Sequence, residues 1–166
     1  LIGFAQDITE RKRAEENLKQ NEEKFRALFE HMDAACCLDE VIYENGKVVD
    51  YRILDINPSF ERITGIGRAQ ALGALASQVY GPGAVPFLDI YAKVAETGEP
   101  TSFEAFFPPI EKFLHITASS PAKDRFSTVF TDITERKKAE EEREKLIVEL
   151  RAALAKVKTL SGLLPI

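Results

Sequence analysis

Residues 45–65 read NGKVVDYRILDINPSFERITG. Asn45-Gly46 is a strong short hairpin signal, because a two-residue type I′ turn needs residues that tolerate positive φ. Val48 to Ile56 alternates in part and predicts the return strand. Asn57-Pro58 then predicts a helix, with Asn as N-cap and Pro at the first helical position. Gly65 and Gly67 keep that helix short. A hairpin that feeds a short helix is therefore written into about twenty residues.

The pattern extends in both directions from that stretch. Before the turn, Ala35 to Tyr43 is apolar and β-rich and predicts the first strand. After it, residues 68–84 are weakly patterned, with Gly73, Gly81, Pro82 and Gly83. Pro86 to Thr97 predicts a longer helix with Phe87, Ile90, Tyr91 and Val94 on one face and Gly98 as its stop. Three more strands follow: Pro100 to Phe107, Ile110 to Ser119, and Arg125 to Ile133. Pro108-Pro109 and residues 120–124 turn the chain between them. Phe103, Ala105 and Phe107 share one side of the first. Five strands with helices on one side define an α+β domain.

Both flanks carry one charged phrase. Asp7 to Glu16 matches Asp132 to Glu141 at nine of ten positions, and Arg13 against Lys138 keeps the charge. The spacing of 125 residues suits a small domain plus a connector, not a solenoid repeat. Each copy predicts a junction at which a globular module ends and a helix leaves it. D-I-T-E has capping-box spacing. Asp7 or Thr9 would start one helix, and Asp132 or Thr134 the other. Residues 1–6 are expected to close a strand of an upstream module. Both chain ends suggest a piece of a longer protein.

After the first junction, Leu18, Asn21, Phe25, Leu28 and Met32 alternate steps of three and four, a heptad stripe with one polar seam position. The second helix repeats the period at Arg143, Leu146, Leu150, Ala153, Val157, Leu160 and Leu164. Gly162 and Pro165 are expected to end it. Two arrangements fit such stripes: a helix packed on its own domain, or a partly intermolecular coiled coil. The persistence of the 3.5 period favours the second.

Composition narrows the function. The net charge is −5, and residues 33–132 hold fourteen acids against eight bases. No basic face serves a phosphate backbone, which argues against nucleic-acid binding. No apolar run is long enough for a membrane span. Adjacent Cys36 and Cys37 make no disulfide framework and suit a reducing, cytoplasmic setting. They lack C-x-x-C spacing or a histidine nearby, so they read as buried, inert thiols with no metal site.

Three segments together carry a family resemblance. NGKVVDYRILDINPSFERITG, ETGEP at 96–100 and FSTVFTDITERKKAEE at 126–141 resemble, in that order, a strand and helix, a helix-ending turn and the final strand of PAS domains. The resemblance covers residues 33–135 and implies the PAS fold: a five-stranded antiparallel sheet with small helices on one face, flanked by amphipathic helices. It divides the chain into 1–10, the end of an upstream PAS module; 11–32, a connecting helix; 33–133, the PAS domain; and 134–166, a C-terminal signalling helix. It implies a non-enzymatic sensory and dimerisation module of a bacterial signal-transduction protein. Such a module relays a signal through coiled-coil helices to an effector such as a sensor histidine kinase of a two-component system. A ligand-free spacer that only sets geometry is the alternative. His31 in EHMDA lacks the context of a kinase phosphoacceptor. The partners implied are a second copy of the chain, neighbouring PAS and effector domains, and an unidentified small molecule.

The candidate sites follow. Phe60, Ile63, Phe87, Tyr91, Phe103 and Phe113 are expected to line a ligand pocket between sheet and helices. Asp132, Thr134 and Glu135 form the expected signal junction. Leu18, Asn21, Phe25, Leu28, Leu146, Leu150 and Val157 form the expected seam. The cofactor is left unknown. Haem is disfavoured because alternation in FLHITA turns His115 away from the core. Flavin is disfavoured because GALASQVYGPG, residues 73–83, lacks a reactive cysteine and the chain has no Trp. No nucleophile–base pair or phosphate loop supports catalysis.

Overall fold

The computed structural model describes residues 2–81, 83 and 85–163. Helix α1 (Ile2–His31) leads into strands β1 (Ala35–Glu44) and β2 (Lys47–Ile56). Helices α2 (Pro58–Thr64), α3 (Arg68–Ala71), α4 (Ala76–Val79) and α5 (Leu88–Thr97) follow. Strands β3 (Thr101–Phe107), β4 (Lys112–Ala122) and β5 (Arg125–Asp132) then lead to α6 (Thr134–Leu163). The strands form one antiparallel sheet in the order β2-β1-β5-β4-β3. The first and last strands in sequence are thus paired at its centre.

Local chemistry explains the elements. Asn45 and Gly46 take φ of 51° and 76°, the values a tight β1–β2 turn needs. Asn57 caps α2 by accepting from Phe60 N, and Pro58 opens the helix. Gly65 ends α2 and Gly98 ends α5, both in the left-handed region. The weakly patterned stretch becomes two one-turn helices. It is held against β2 by bonds from Ile53 N to Ala74 O and from Gly73 N to Ile53 O. Asp50 secures α4 by accepting from Ser77 N and Ser77 Oγ.

The core lies between one face of the sheet and α2 to α5. Ala35, Cys37, Asp39 and Val41 of β1 face it, as do Leu114, Ile116 and Ala118 of β4. Phe60, Ile53, Ile56 and Phe126 are fully buried there. No residue of α1 or α6 is buried.

Four expectations need correction. Residues 2–6 are helical rather than a strand: they open α1, whose backbone bonds are satisfied within the helix. Neither Asp7 nor Thr9 caps α1: Thr9 Oγ1 donates to Ala5 O inside the helix at 2.8 Å. The helix of residues 86–97 begins at Leu88, with Phe87 in a left-handed conformation at its N-cap. Helix α6 runs through Gly162 to Leu163. Leu164 and Pro165 lie outside the described residues, as do Leu1 and Pro82.

Candidate functional site: a buried cavity and a strand–helix junction

A cavity of about 30 Å³ sits between the sheet and the helices. Phe60 of α2, Phe87 at the head of α5 and Tyr91 of α5 line it, joined by Tyr51, Phe107 and Phe130. Tyr51 meets Tyr91 and Phe126 edge to face at 5.6 and 5.3 Å, while Tyr91 stacks on Phe126 at 4.7 Å and Phe87 on Phe107 at 5.9 Å. Three other expected pocket residues stand elsewhere. Ile63 packs half-buried against the core. Phe103 touches Phe87 at 5.2 Å but borders an outer groove beside α5. Phe113 lies on the opposite face of β4 from Leu114, against Phe106 at 5.0 Å. The alternation that puts His115 outside puts Phe113 outside too. His115 is exposed, and its Nε2 lies 3.0 Å from Ser102 Oγ.

The polar part of this wall was missed by the sequence reading. Asp39 is 2 % exposed and lines the cavity. Burial pushes its carboxyl up to about 8, against a smaller opposing effect of a hydrogen bond from Cys37 Sγ at 3.1 Å. The signal was period two: Ala35, Cys37, Asp39 and Val41 share one face, so an inward Cys37 implies an inward Asp39. Burial, and then Asp39, raises both neighbouring thiols, Cys36 to about 11 and Cys37 well above its ordinary value. Both stay protonated at neutral pH and are poor nucleophiles. Among the described residues, no cluster of three His, Cys, Asp or Glu could hold a metal ion.

Around the β5–α6 junction the bonds are dense. Asp132 Oδ1 accepts from Thr134 N at 2.9 Å. Thr134 Oγ1 accepts from Phe113 N at 3.0 Å, and Ile133 N donates to Phe113 O at 2.8 Å. Burial would raise the Asp132 carboxyl, but the bonds from Thr134 and the Lys112 ammonium outweigh it and hold it below the usual carboxylate value. Glu135 does not complete a capping box; its carboxylate pairs with Lys138 at 3.2 Å.

Two residues outside the motif extend the junction. Lys112 Nζ lies 3.1 Å from Asp132 Oδ2 and donates to Ile63 O, in α2, at 2.9 Å. Helix α2 also supplies Phe60 and Thr64 to the cavity wall, so Lys112 links the helix behind that wall to the last residue of β5, beside the start of α6. Glu104 of β3 takes Arg136 on one oxygen and Lys137 on the other, at 2.7 Å. Hydrogen bonds from Lys137 and Arg136 lower Glu104 to about 2. Both contacts join residues far apart in the chain, so no local pattern announces them.

The expected seam residues all project from the domain. Leu18, Phe25 and Leu28 of α1 are exposed, as are Leu146, Leu150 and Val157 of α6. Asn21 is exposed beside them. Among the described residues, no helix is long and apolar enough to cross a membrane.

Comparison with known proteins agrees with this architecture. Residues 23–95 match the family model described as PAS domain. A domain of a sensory box sensor histidine kinase/response regulator from Geobacter sulfurreducens superposes with a TM-score of 0.52 at 20% identity, over 70% of this chain and 98% of that one. The PAS domain of BvgS from Bordetella pertussis gives 0.50 at 16% identity, over 78% and 98%. An RNA-binding light-oxygen-voltage receptor gives 0.50 at 18% identity; 78% of this chain is covered but only 38% of the receptor. At these identities the likeness shows the fold. Comparison with curated proteins gives no match. The chain has the PAS fold, a five-stranded antiparallel sheet with helices, flanked by two long helices, and its residues 23–95 resemble PAS domains.

Proposed function

We propose that the chain is a non-enzymatic sensory and dimerisation module of a bacterial multi-domain signalling protein, working in the cytoplasm. Its flanking helices pair with those of a second copy. A change at the cavity shifts the balance between arrangements of the paired helices, and an effector such as a histidine kinase reads that balance. The first charged phrase fits the exit of an upstream PAS domain, which makes the domains tandem.

One observation carries this reading. A 30-residue helix with no buried residue leaves the sheet through a junction bonded from three strands, β3, β4 and β5. Leu146 and Leu150 on that helix are 64% and 61% exposed. A stripe of that kind is costly in water and gains from a partner helix.

Sedimentation velocity tests it. The chain is expected to sediment as a dimer, and Leu150→Asp as a folded monomer. A wild-type chain that stays monomeric at high micromolar concentration would sink the dimer mechanism.

A second reading, a ligand-free spacer, has the cavity's small volume in its favour: ligand pockets usually offer roughly 300 Å³ or more. The spacer would still dimerise, so sedimentation does not separate the two readings; ligand binding does.

A further inference from the structure

The cavity holds polar groups that neither the core nor the junction uses. Asp39 lines it, and among the described residues its one side-chain hydrogen-bond partner is the Cys37 thiol, a weak donor. Tyr80 and Tyr91 line it as well. The Tyr51 hydroxyl donates to Pro86 O at 3.3 Å. A buried carboxyl is ordinarily paired with a cation. Among the described residues no Lys, Arg or His lines this cavity, so the chain supplies none.

Several ligand chemistries can be weighed against that wall. An anion would meet the Asp39 carboxyl and the negative faces of the rings. A neutral molecule would gain from the apolar rings but would bring no charge to the Asp39 carboxyl. A small ammonium ion satisfies every part. Its charge meets Asp39, its N–H groups meet the tyrosine oxygens, and its methyl group meets aromatic surface that favours cations. The volume of about 30 Å³ limits the guest to a few heavy atoms.

We propose that the cavity bounded by Asp39, Tyr80 and Tyr91 is a binding site for a small organic ammonium ion of about methylammonium size. The proposal rests on the ligand-sensing half of the function above and not on dimerisation. A chain that dimerises but binds no ammonium overturns this proposal and leaves the sensing reading to be tested with other ligands.

Binding is linked to a proton. Burial keeps Asp39 mostly neutral at pH 7 in the free chain. A bound cation ionises it, and its proton passes to the buffer. The other titratable groups facing it stay neutral throughout. These are Cys37 from β1, Tyr51 from β2, Tyr80 after α4 and Tyr91 from α5, all raised by burial.

Calorimetric titration of the whole chain with methylammonium chloride at pH 7, in phosphate and in Tris, tests this. Methanol at matched potassium chloride is the neutral control. Saturable heat is expected, with nearly one proton released per chain and none for methanol. Asp39→Asn, which keeps the shape, is expected to weaken binding at least about tenfold and to abolish the proton release. Tyr91→Phe, which keeps the ring, is expected to weaken binding several-fold and stands in if Asp39→Asn does not fold. Absence of saturable heat up to about 100 mM, or variants that bind like the wild type, would overturn the proposal.

Discussion

At the scale of single residues, a carboxylic acid inside an apolar wall gives up its charge rather than carry it. Burial moves Asp39 from 3.8 to about 8. Between those values the folded chain holds a proton that the unfolded chain has lost, so Asp39 makes stability fall as pH rises through that window. Asp39→Asn removes the penalty. Urea unfolding is expected to show the variant more stable than wild type at pH 8, on the order of 1–3 kcal/mol, with the gap closing near pH 4. Parallel pH profiles would contradict the buried acid. Glu104 has the opposite sign. Its carboxylate is lowered to about 2, so its hold on Arg136 and Lys137 is complete above about 4.5 and is lost as pH falls toward 2. Glu104→Gln is expected to speed hydrogen exchange in the first turns of α6 at pH 6 and to make no difference near pH 2.

Among the elements, α2 depends on one side chain. Asn57 Oδ1 accepts from Phe60 N and Cys36 N, and its Nδ2 donates to Ala34 O. It caps the helix and ties it to the start of β1. Asn57→Ala removes all three side-chain bonds, although Phe60 N keeps the Asn57 main-chain carbonyl at 3.1 Å, and is expected to cost about 1–3 kcal/mol in chemical denaturation. A loss below about 1 kcal/mol would mean that water replaces the bonds. The Asn45-Gly46 turn and the Asn57-Pro58 helix start were legible because the residues that demand those conformations sit within them. Residues 2–6 were not, because the same apolar residues serve a strand or a helix and only the presence of a pairing strand decides. Phe113 was misplaced for a related reason: an aromatic residue suggests core, but register decides the face. Asp39 was hidden within the apolar run Ala35 to Tyr43, although period two already placed it with Cys37. Lys112 and Glu104 were beyond reach, since their partners lie 20 and 33 residues away along the chain.

For the whole molecule, the junction and the cavity belong to one body. Helix α2 forms part of the cavity wall, and Lys112 joins its Ile63 carbonyl to Asp132 at the foot of α6. Under the proposed function, a guest that moves α2 would pull on the junction from which α6 leaves. Asp132→Ala removes the Thr134 bond and the ion pair. It is expected to lower stability by on the order of 1 kcal/mol and, if the proposed function holds, to weaken regulated output without abolishing dimerisation. Normal regulation in a destabilised variant would reduce Asp132 to a cap. The most direct test of the coupling is hydrogen–deuterium exchange of Lys112→Met against wild type. The account expects faster exchange at both ends of the lost bridge, in the last turn of α2 and the first turns of α6, with the β1–β2 hairpin unchanged. Faster exchange confined to β4 would contradict it, because the cavity wall and the exit helix would then be held independently.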